Sequence, residues 1–182
     1  MLMSALPMVT LAAEGQTTAY ILTDTLEPGK NYIIANKNDG EAYALTNNDG
    51  SIAATSVEVS DGVIYTDNED IIFTAVGSDT SVTDLVNNGR YLAVSSSGAS
   101  FNSSERNIAW TYNGDTHRLS SKSSSTSTTT RYIRYSATNS NFTASSSQGD
   151  IYLFEEVTAL VPVTGVTVSP TTATVEAGKT TT

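Results

Sequence analysis

Apolar residues in this chain arrive in short runs rich in β-branched and aromatic types, and no stretch sustains a 3.6-residue apolar period for three helical turns. Tyr20-Ile21-Leu22, Tyr32-Ile33-Ile34, Ile71-Ile72-Phe73, Tyr91-Leu92-Ala93-Val94 and Ile151-Tyr152-Leu153-Phe154 are such runs. Between or beside them stand Pro28-Gly29, Asp39-Gly40, Asp49-Gly50, Asp61-Gly62 and Asn113-Gly114. These are turn signals, because tight hairpins need positive φ, which Gly, Asn and Asp adopt at least cost. The pattern predicts an all-β body between about Tyr20 and Val157.

That body repeats itself. Gly89-Arg90-Tyr91-Leu92-Ala93-Val94-Ser95, followed by Phe101-Asn102-Ser103-Ser104, is echoed by Thr130-Arg131-Tyr132-Ile133-Arg134-Tyr135-Ser136, followed by Phe142-Thr143-Ala144-Ser145. The two leading tyrosines, Tyr91 and Tyr132, are 41 residues apart. A second marker recurs as Asp70-Ile71-Ile72-Phe73, Asn107-Ile108-Ala109-Trp110 and Asp150-Ile151-Tyr152-Leu153, at intervals of 37 and 43. Glu41-Ala42-Tyr43-Ala44-Leu45 is a weaker first copy of the tyrosine element. Three units, about 25–70, 71–107 and 108–150, suit a β-trefoil, in which no unit buries its apolar face alone and three close on one another. A β-sandwich of immunoglobulin-like or jelly-roll type is the alternative architecture.

Composition narrows the chemistry. Of 182 residues none is Cys and one, His117, is His, so thiolate nucleophiles, disulfides and multi-histidine metal centres are excluded within the chain. With 9 Lys+Arg against 19 Asp+Glu the net charge is −10, which argues against binding a nucleic-acid backbone. The charge is uneven: through residue 86 there are 2 basic and 13 acidic residues, and from residue 87 there are 7 basic and 6 acidic. Arg90, Arg106, Arg118, Arg131 and Arg134 lie in the near-neutral half, where a planar guanidinium suits an acidic glycan or, for the matched Arg90 and Arg131, a repeated structural contact.

Both termini read differently from the body. Residues 1–13 are short, uncharged and apolar, then turn polar at Glu14-Gly15-Gln16, which reads as the remnant of a secretory signal peptide with small residues Ala12 and Ala13 at its end. This run is too short to span a bilayer, and no transmembrane segment is expected. Residues 161–182, from Val161-Pro162-Val163-Thr164-Gly165-Val166-Thr167-Val168-Ser169-Pro170 to Glu176-Ala177-Gly178-Lys179-Thr180, resemble the opening of a bacterial Ig-like domain of group 2. The resemblance implies a truncated first pair of strands, since two strands cannot bury a sandwich core. Within the module, taken as residues 17–158, Ile108-Ala109-Trp110-Thr111-Tyr112-Asn113-Gly114-Asp115 and then Arg131-Tyr132-Ile133 resemble ricin-type β-trefoil lectin repeats, though the Gln-x-Trp motif is absent. That resemblance implies sugar binding.

Candidate sites follow from residue chemistry. Tyr112 and Tyr135 offer faces on which a sugar ring stacks, with Asn113, Asp115, Asn139 and Asn141 to take hydroxyls. Trp110 is expected in the core, because Phe73 and Leu153 occupy the equivalent repeat positions. Asp67, Glu69 and Asp70, with Asp61 and Glu58 nearby, carry the hard oxygen ligands that calcium prefers, but in no EF-hand order, and a solvated loop is the favoured reading. His117 with Ser120 and Ser121 lacks an ordered triad, and no Gly-x-Ser-x-Gly elbow occurs. The hydroxyl-rich stretch 120–130 reads as a loop or exposed hairpin.

These readings converge on a non-catalytic, monomeric binding or adhesion module of a secreted or cell-surface bacterial protein, directed at an extracellular glycan or a host surface protein and needing no cofactor unless calcium. Two other classes stay open: an accessory targeting module of a glycoside hydrolase or peptidase, and a structural cap or spacer.

Overall fold

The run Tyr32-Ile33-Ile34-Ala35 does not alternate, and the computed structural model, which describes residues 18–78 and 81–157, shows why. These residues are all fully buried, because their strand is covered on both faces. Fourteen strands and one 3-10 turn form among the described residues: β1 Thr18–Thr23, β2 Asn31–Ala35, β3 Gly40–Asn48, β4 Ser51–Val59, β5 Val63–Thr66, the turn Glu69–Ile71, β6 Ile72–Ser78, β7 Ser81–Asn87, β8 Arg90–Ser95, β9 Gly98–Asn102, β10 Thr111–Asn113, β11 Arg118–Lys122, β12 Thr130–Ser136, β13 Asn141–Ser145 and β14 Tyr152–Glu156. The fold is all-β, in two antiparallel sheets, as the turn-punctuated sequence predicts. No helix among the described residues is long and apolar enough to cross a membrane. The signal-like segment 1–13 and the Ig-like segment 161–182 lie outside the described residues.

The larger sheet runs β5-β1-β14-β2-β6-β7-β8-β9, with β3 pairing β2 and β4; the smaller runs β10-β11-β12-β13. Backbone hydrogen bonds tie the smaller sheet to the larger at two places. Trp110 N donates to Val82 O of β7 at 2.8 Å, just ahead of β10, and Ile151 N, just ahead of β14, donates to His117 O beside β11 at 3.0 Å. Pairing therefore passes from β2 to β6, to β7, to the Trp110–Asn113 stretch, to β11 and through Ile151 to β14, which returns to β2. Between successive members of this ring lie the hairpins β3–β4, β8–β9 and β12–β13. The hairpins meet one another through β4, β9 and β13.

Side chains of both sheets fill the main core: Tyr32, Ile34 and Phe73 from the larger pack with Leu119, Ile133 and Phe142 from the smaller. Trp110 lies here with Phe73 and Leu153, at 5, 0 and 1% exposure, so the three matched repeat positions are all interior. Ile33 and Ala35 point the other way, into a second cluster with Tyr20, Ala42, Ala44, Val59, Ile64, Ile71 and Phe154. Adjacent residues of β2 and of β14 thus serve different cores, which is why their apolar runs are continuous.

Three hairpin turns share one backbone geometry. Asp49-Gly50 joins β3 to β4, Asp61-Gly62 is closed by the Ser60–Val63 bridge, and Asn88-Gly89 joins β7 to β8, with φ of 48° and 88°, 52° and 73°, and 47° and 69° in turn. Positive φ at both central residues is what a type I′ turn requires, and its twist matches that of the strands it joins. The expected Asp49-Gly50 and Asp61-Gly62 turns are present, and Asn88-Gly89 adds a third of the same kind.

Leu92→Ala in the larger sheet and Leu119→Ala in the smaller are each expected to cost about 2–5 kcal/mol. Urea unfolding should remain a single transition, because one core holds both residues. A biphasic curve in which only Leu119→Ala shifts the earlier phase would show the sheets unfolding separately.

Candidate functional site

The sequence-derived sugar candidates fall on two turns. Tyr112, Asn113 and Asp115 lie on the β10–β11 hairpin, and Tyr135, Asn139 and Asn141 on β12–β13. Tyr112 packs half-buried against the core, and its hydroxyl donates to Ile151 O at 3.1 Å, with His117 Nδ1 at 3.5 Å. Burial, and secondarily the charge of Asp24, push its phenol up to about 12. Asn113 Oδ1 accepts from both Thr116 N and Thr116 Oγ1 at 2.9 Å, and Asp115 is exposed in the turn. Tyr135 stacks on Tyr43 at 5.0 Å and 8°, and meets Phe142 edge-on at 5.3 Å. Asn141 Nδ2 donates to Ile52 O at 3.0 Å while its Oδ1 accepts from Phe142 N, so its amide binds β13 to β4. Asn139 is exposed, its backbone N–H closing the turn onto Ser136 O. Most of these groups are engaged within the fold; Asn139 and Asp115 face solvent.

The acidic candidates do not converge. Asp67 Oδ1 accepts from Thr18 N at 2.8 Å and from Thr18 Oγ1, whereas Asp70 Oδ1 accepts from Asn88 Nδ2 at 2.9 Å. Glu69 and Asp70 occupy the 3-10 turn, whose start is capped by Asn68 Oδ1 accepting from Asp70 N. Among the described residues no three acidic, His or Cys side chains gather as a metal group. His117 lies against Tyr152, ring centroids 4.4 Å apart, and Ser121 Oγ donates to Ala109 O rather than to the imidazole.

A different set of residues does converge. Asn47, Asn48, Asp49, Asp70, Asn88 and Arg90 line a cleft of about 340 Å³. Three elements supply them: the β3–β4 turn, the 3-10 turn and the β7–β8 turn. Two buried amides, Asn47 and Asn87, hold these elements together. Asn47 Nδ2 donates to Asn87 O at 3.0 Å and its Oδ1 accepts from Gly50 N at 2.7 Å, fixing one type I′ turn against the other. Asn87 Nδ2 donates to Glu69 O and Ile72 O, both at 2.7 Å, which ties the 3-10 turn to β7. The Asn87 Oδ1 atom is buried with no partner, a cost that Nδ2 offsets by satisfying two carbonyls.

Arg90 lies across the cleft. An added Cβ at Gly50 would come within 2.8 Å of the Arg90 guanidinium carbon, so the glycine there makes room for the side chain as well as the turn. Arg90 is 4.0 Å from Asp49 Oδ1, an exposed pair. Arg131, its repeat counterpart, makes no ion pair among the described residues, so the Asp49 pairing of Arg90 is not repeated there. Two carboxylates, three carboxamides and a guanidinium line the cleft; the Asn47 amide is spent within the fold and Asn88 Nδ2 bonds Asp70, which leaves Asn48, Asp49 and Arg90 with groups to offer a sugar's hydroxyls. No hydroxyl, imidazole or aromatic side chain lines it. A signal for this site was in the sequence: Asn47-Asn48-Asp49-Gly50 and Asn87-Asn88-Gly89-Arg90 place paired asparagines before a turn glycine, 40 residues apart.

No protein-family model, curated protein or solved structure matches this chain.

Tyr20 and Tyr32 share the fate of Tyr112: burial raises each phenol to about 12, reinforced at Tyr20 by the charge of Glu156. Folded-state values above the ordinary value near 10 mean that the native state holds these protons longer than the unfolded chain. Their contribution is therefore full below about pH 10 and is lost as pH rises toward about 12. Phenolate absorbance should show the three tyrosines ionising last, together with alkaline unfolding, and Tyr112→Phe should reduce the stability lost across that window. Loss of stability beginning well below pH 10 would contradict this assignment.

Proposed function

We propose that the described body is a non-catalytic glycan-binding module of β-trefoil type, belonging to a secreted or cell-surface protein, with the Asn47–Arg90 cleft as its binding site. The trefoil reading is supported by the three-fold alternation of ring strand and hairpin, and by the mutual contact of the three hairpins. Secretion rests on the signal-like character of residues 1–13.

The observation that carries the binding assignment is the convergence in one cleft of Asp49, Asp70, Asn48, Asn88 and Arg90, polar groups carried by or beside three turns that the Asn47 and Asn87 amides tie together. With two carboxylates against one guanidinium, the favoured ligand is a neutral sugar. The reading needs neither a metal nor a nucleophile.

Glycan-array screening of the full chain, followed by titration calorimetry of the best ligand, tests the proposal. Asp70→Ala and Arg90→Ala are each expected to weaken binding by about tenfold or more, equivalent to about 1.4 kcal/mol, while Tyr112→Phe leaves affinity unchanged. A ligand lost with Tyr112→Phe and kept with Arg90→Ala would move the site to the β10–β11 turn. Absence of any glycan ligand would favour a structural cap.

A further inference from the structure

The strands β4 and β5 leave the Asp61-Gly62 turn as a hairpin and part at once. A single bridge, Ser60 to Val63, joins them. Beyond it β4 pairs only with β3 and β5 only with β1 among the described residues, so each turns a free backbone edge toward the other. The wedge between them is a groove of about 320 Å³ lined by Ser56, Val57 and Glu58 on one wall and Val63, Ile64, Tyr65 and Thr66 on the other. Consecutive residues of a strand point to opposite faces, so a groove lined by unbroken runs 56–58 and 63–66 presents strand edges and not a face.

Free edges of this kind are templates for another strand, and proteins that do not use them usually cover, charge with Lys, or interrupt them with Pro. Neither residue is present here: no Lys or Pro occurs in β4 or β5. Tyr65, 44% exposed, is one of the few large apolar side chains left in solvent, and it stands on this groove.

Charge states what the occupant should be. Glu58 on the groove wall lies directly opposite Glu41 in the β3–β4 register, both exposed, and like charges at opposed cross-strand positions repel. No ion pair among the described residues engages Glu41, Glu58 or Asp61; Lys37 donates its Nζ to the Glu41 backbone carbonyl. A second copy of this acidic chain would add to the repulsion. A cationic side chain beside Glu58 would relieve it.

We propose that the wedge between β4 and β5 receives an extended basic segment of a partner protein, which adds to the free edges as a new strand. Main-chain hydrogen bonds supply the affinity and lysines at alternate positions supply the selectivity, the division of labour in strand addition. This site is independent of the Asn47–Arg90 cleft.

The test uses the full chain and a labelled octapeptide of alternating Lys and Val. Fluorescence anisotropy should report binding, with slowed amide exchange confined to residues 56–58 and 63–66. The same peptide N-methylated at alternate backbone positions keeps its charge but loses its edge, and the Glu-Val counterpart keeps its edge but reverses its charge. Each should bind about tenfold more weakly or worse, as should the Lys-Val peptide to Glu58→Lys, an exposed change that also removes the Glu41 repulsion and so preserves folding. Equal binding of the N-methylated peptide would reduce the contact to general electrostatic adhesion and overturn the proposal. Edge amides already protected in the chain alone would overturn it too, because another segment of the chain or a second copy would then fill the wedge.

Discussion

The antiparallel ladder β14–β2–β6 is the constraint on which everything else rests. Its central strand has four consecutive apolar residues, so each successive side chain must find a covering layer on alternate sides. Tyr32 and Ile34 draw the hairpins and the smaller sheet onto one face, and Ile33 and Ala35 draw β1, β5 and the 3-10 turn onto the other. Neither layer is held by a disulfide, since the chain has no cysteine. The link from Ile151 to His117 then joins the end of this ladder to β11, so the smaller sheet is fastened by backbone as well as by packing.

Buried and half-buried amides set what packing alone leaves loose. Asn47, Asn87 and Asn141 each bond a backbone carbonyl in a distant segment: Asn47 reaches Asn87, Asn87 reaches Glu69 and Ile72, and Asn141 reaches Ile52. Apolar contact tolerates small slips between hairpins, whereas an amide that misses its carbonyl leaves two polar groups unsatisfied. These side chains therefore specify how the turns are placed relative to one another. The cleft at Arg90 is a by-product of that specification, since its walls are the residues adjoining Asn47 and Asn87.

Much of the fold was legible in the sequence. Short β-branched runs and Asp-Gly turns identified the strands because local backbone preference and global pairing agree there. Equivalence of Phe73, Trp110 and Leu153 was visible as a repeat and is realised as shared burial. What sequence does not show is which polar groups the fold consumes. Tyr112 has the right chemistry for a sugar platform, yet whether its hydroxyl is available depends on Ile151, 39 residues away. Likewise the cleft brings together residues 47–49, 70 and 88–90, whose adjacency is a product of strand register and not of spacing. The paired asparagines ahead of Gly50 and Gly89 were the one local trace of it. The charge asymmetry of the first half was plain, but its meeting with a free strand edge at Glu58 required the topology.

The position of β14 has a consequence for how such a chain comes to be folded. This last described strand is inserted between β1 and β2, the first two, so the central ladder cannot close until residue 156 is available to pair. Contacts between the two ends of a chain carry the largest loop-closure entropy, which makes formation of such a sheet slow. During synthesis the edges of β1 and β2 that β14 will occupy stand open, exposing Tyr20, Ile33 and Ile34 at the stage when the chain is most prone to wrong pairing. A chain of this topology therefore gains from delayed folding, held extended until its final strand arrives.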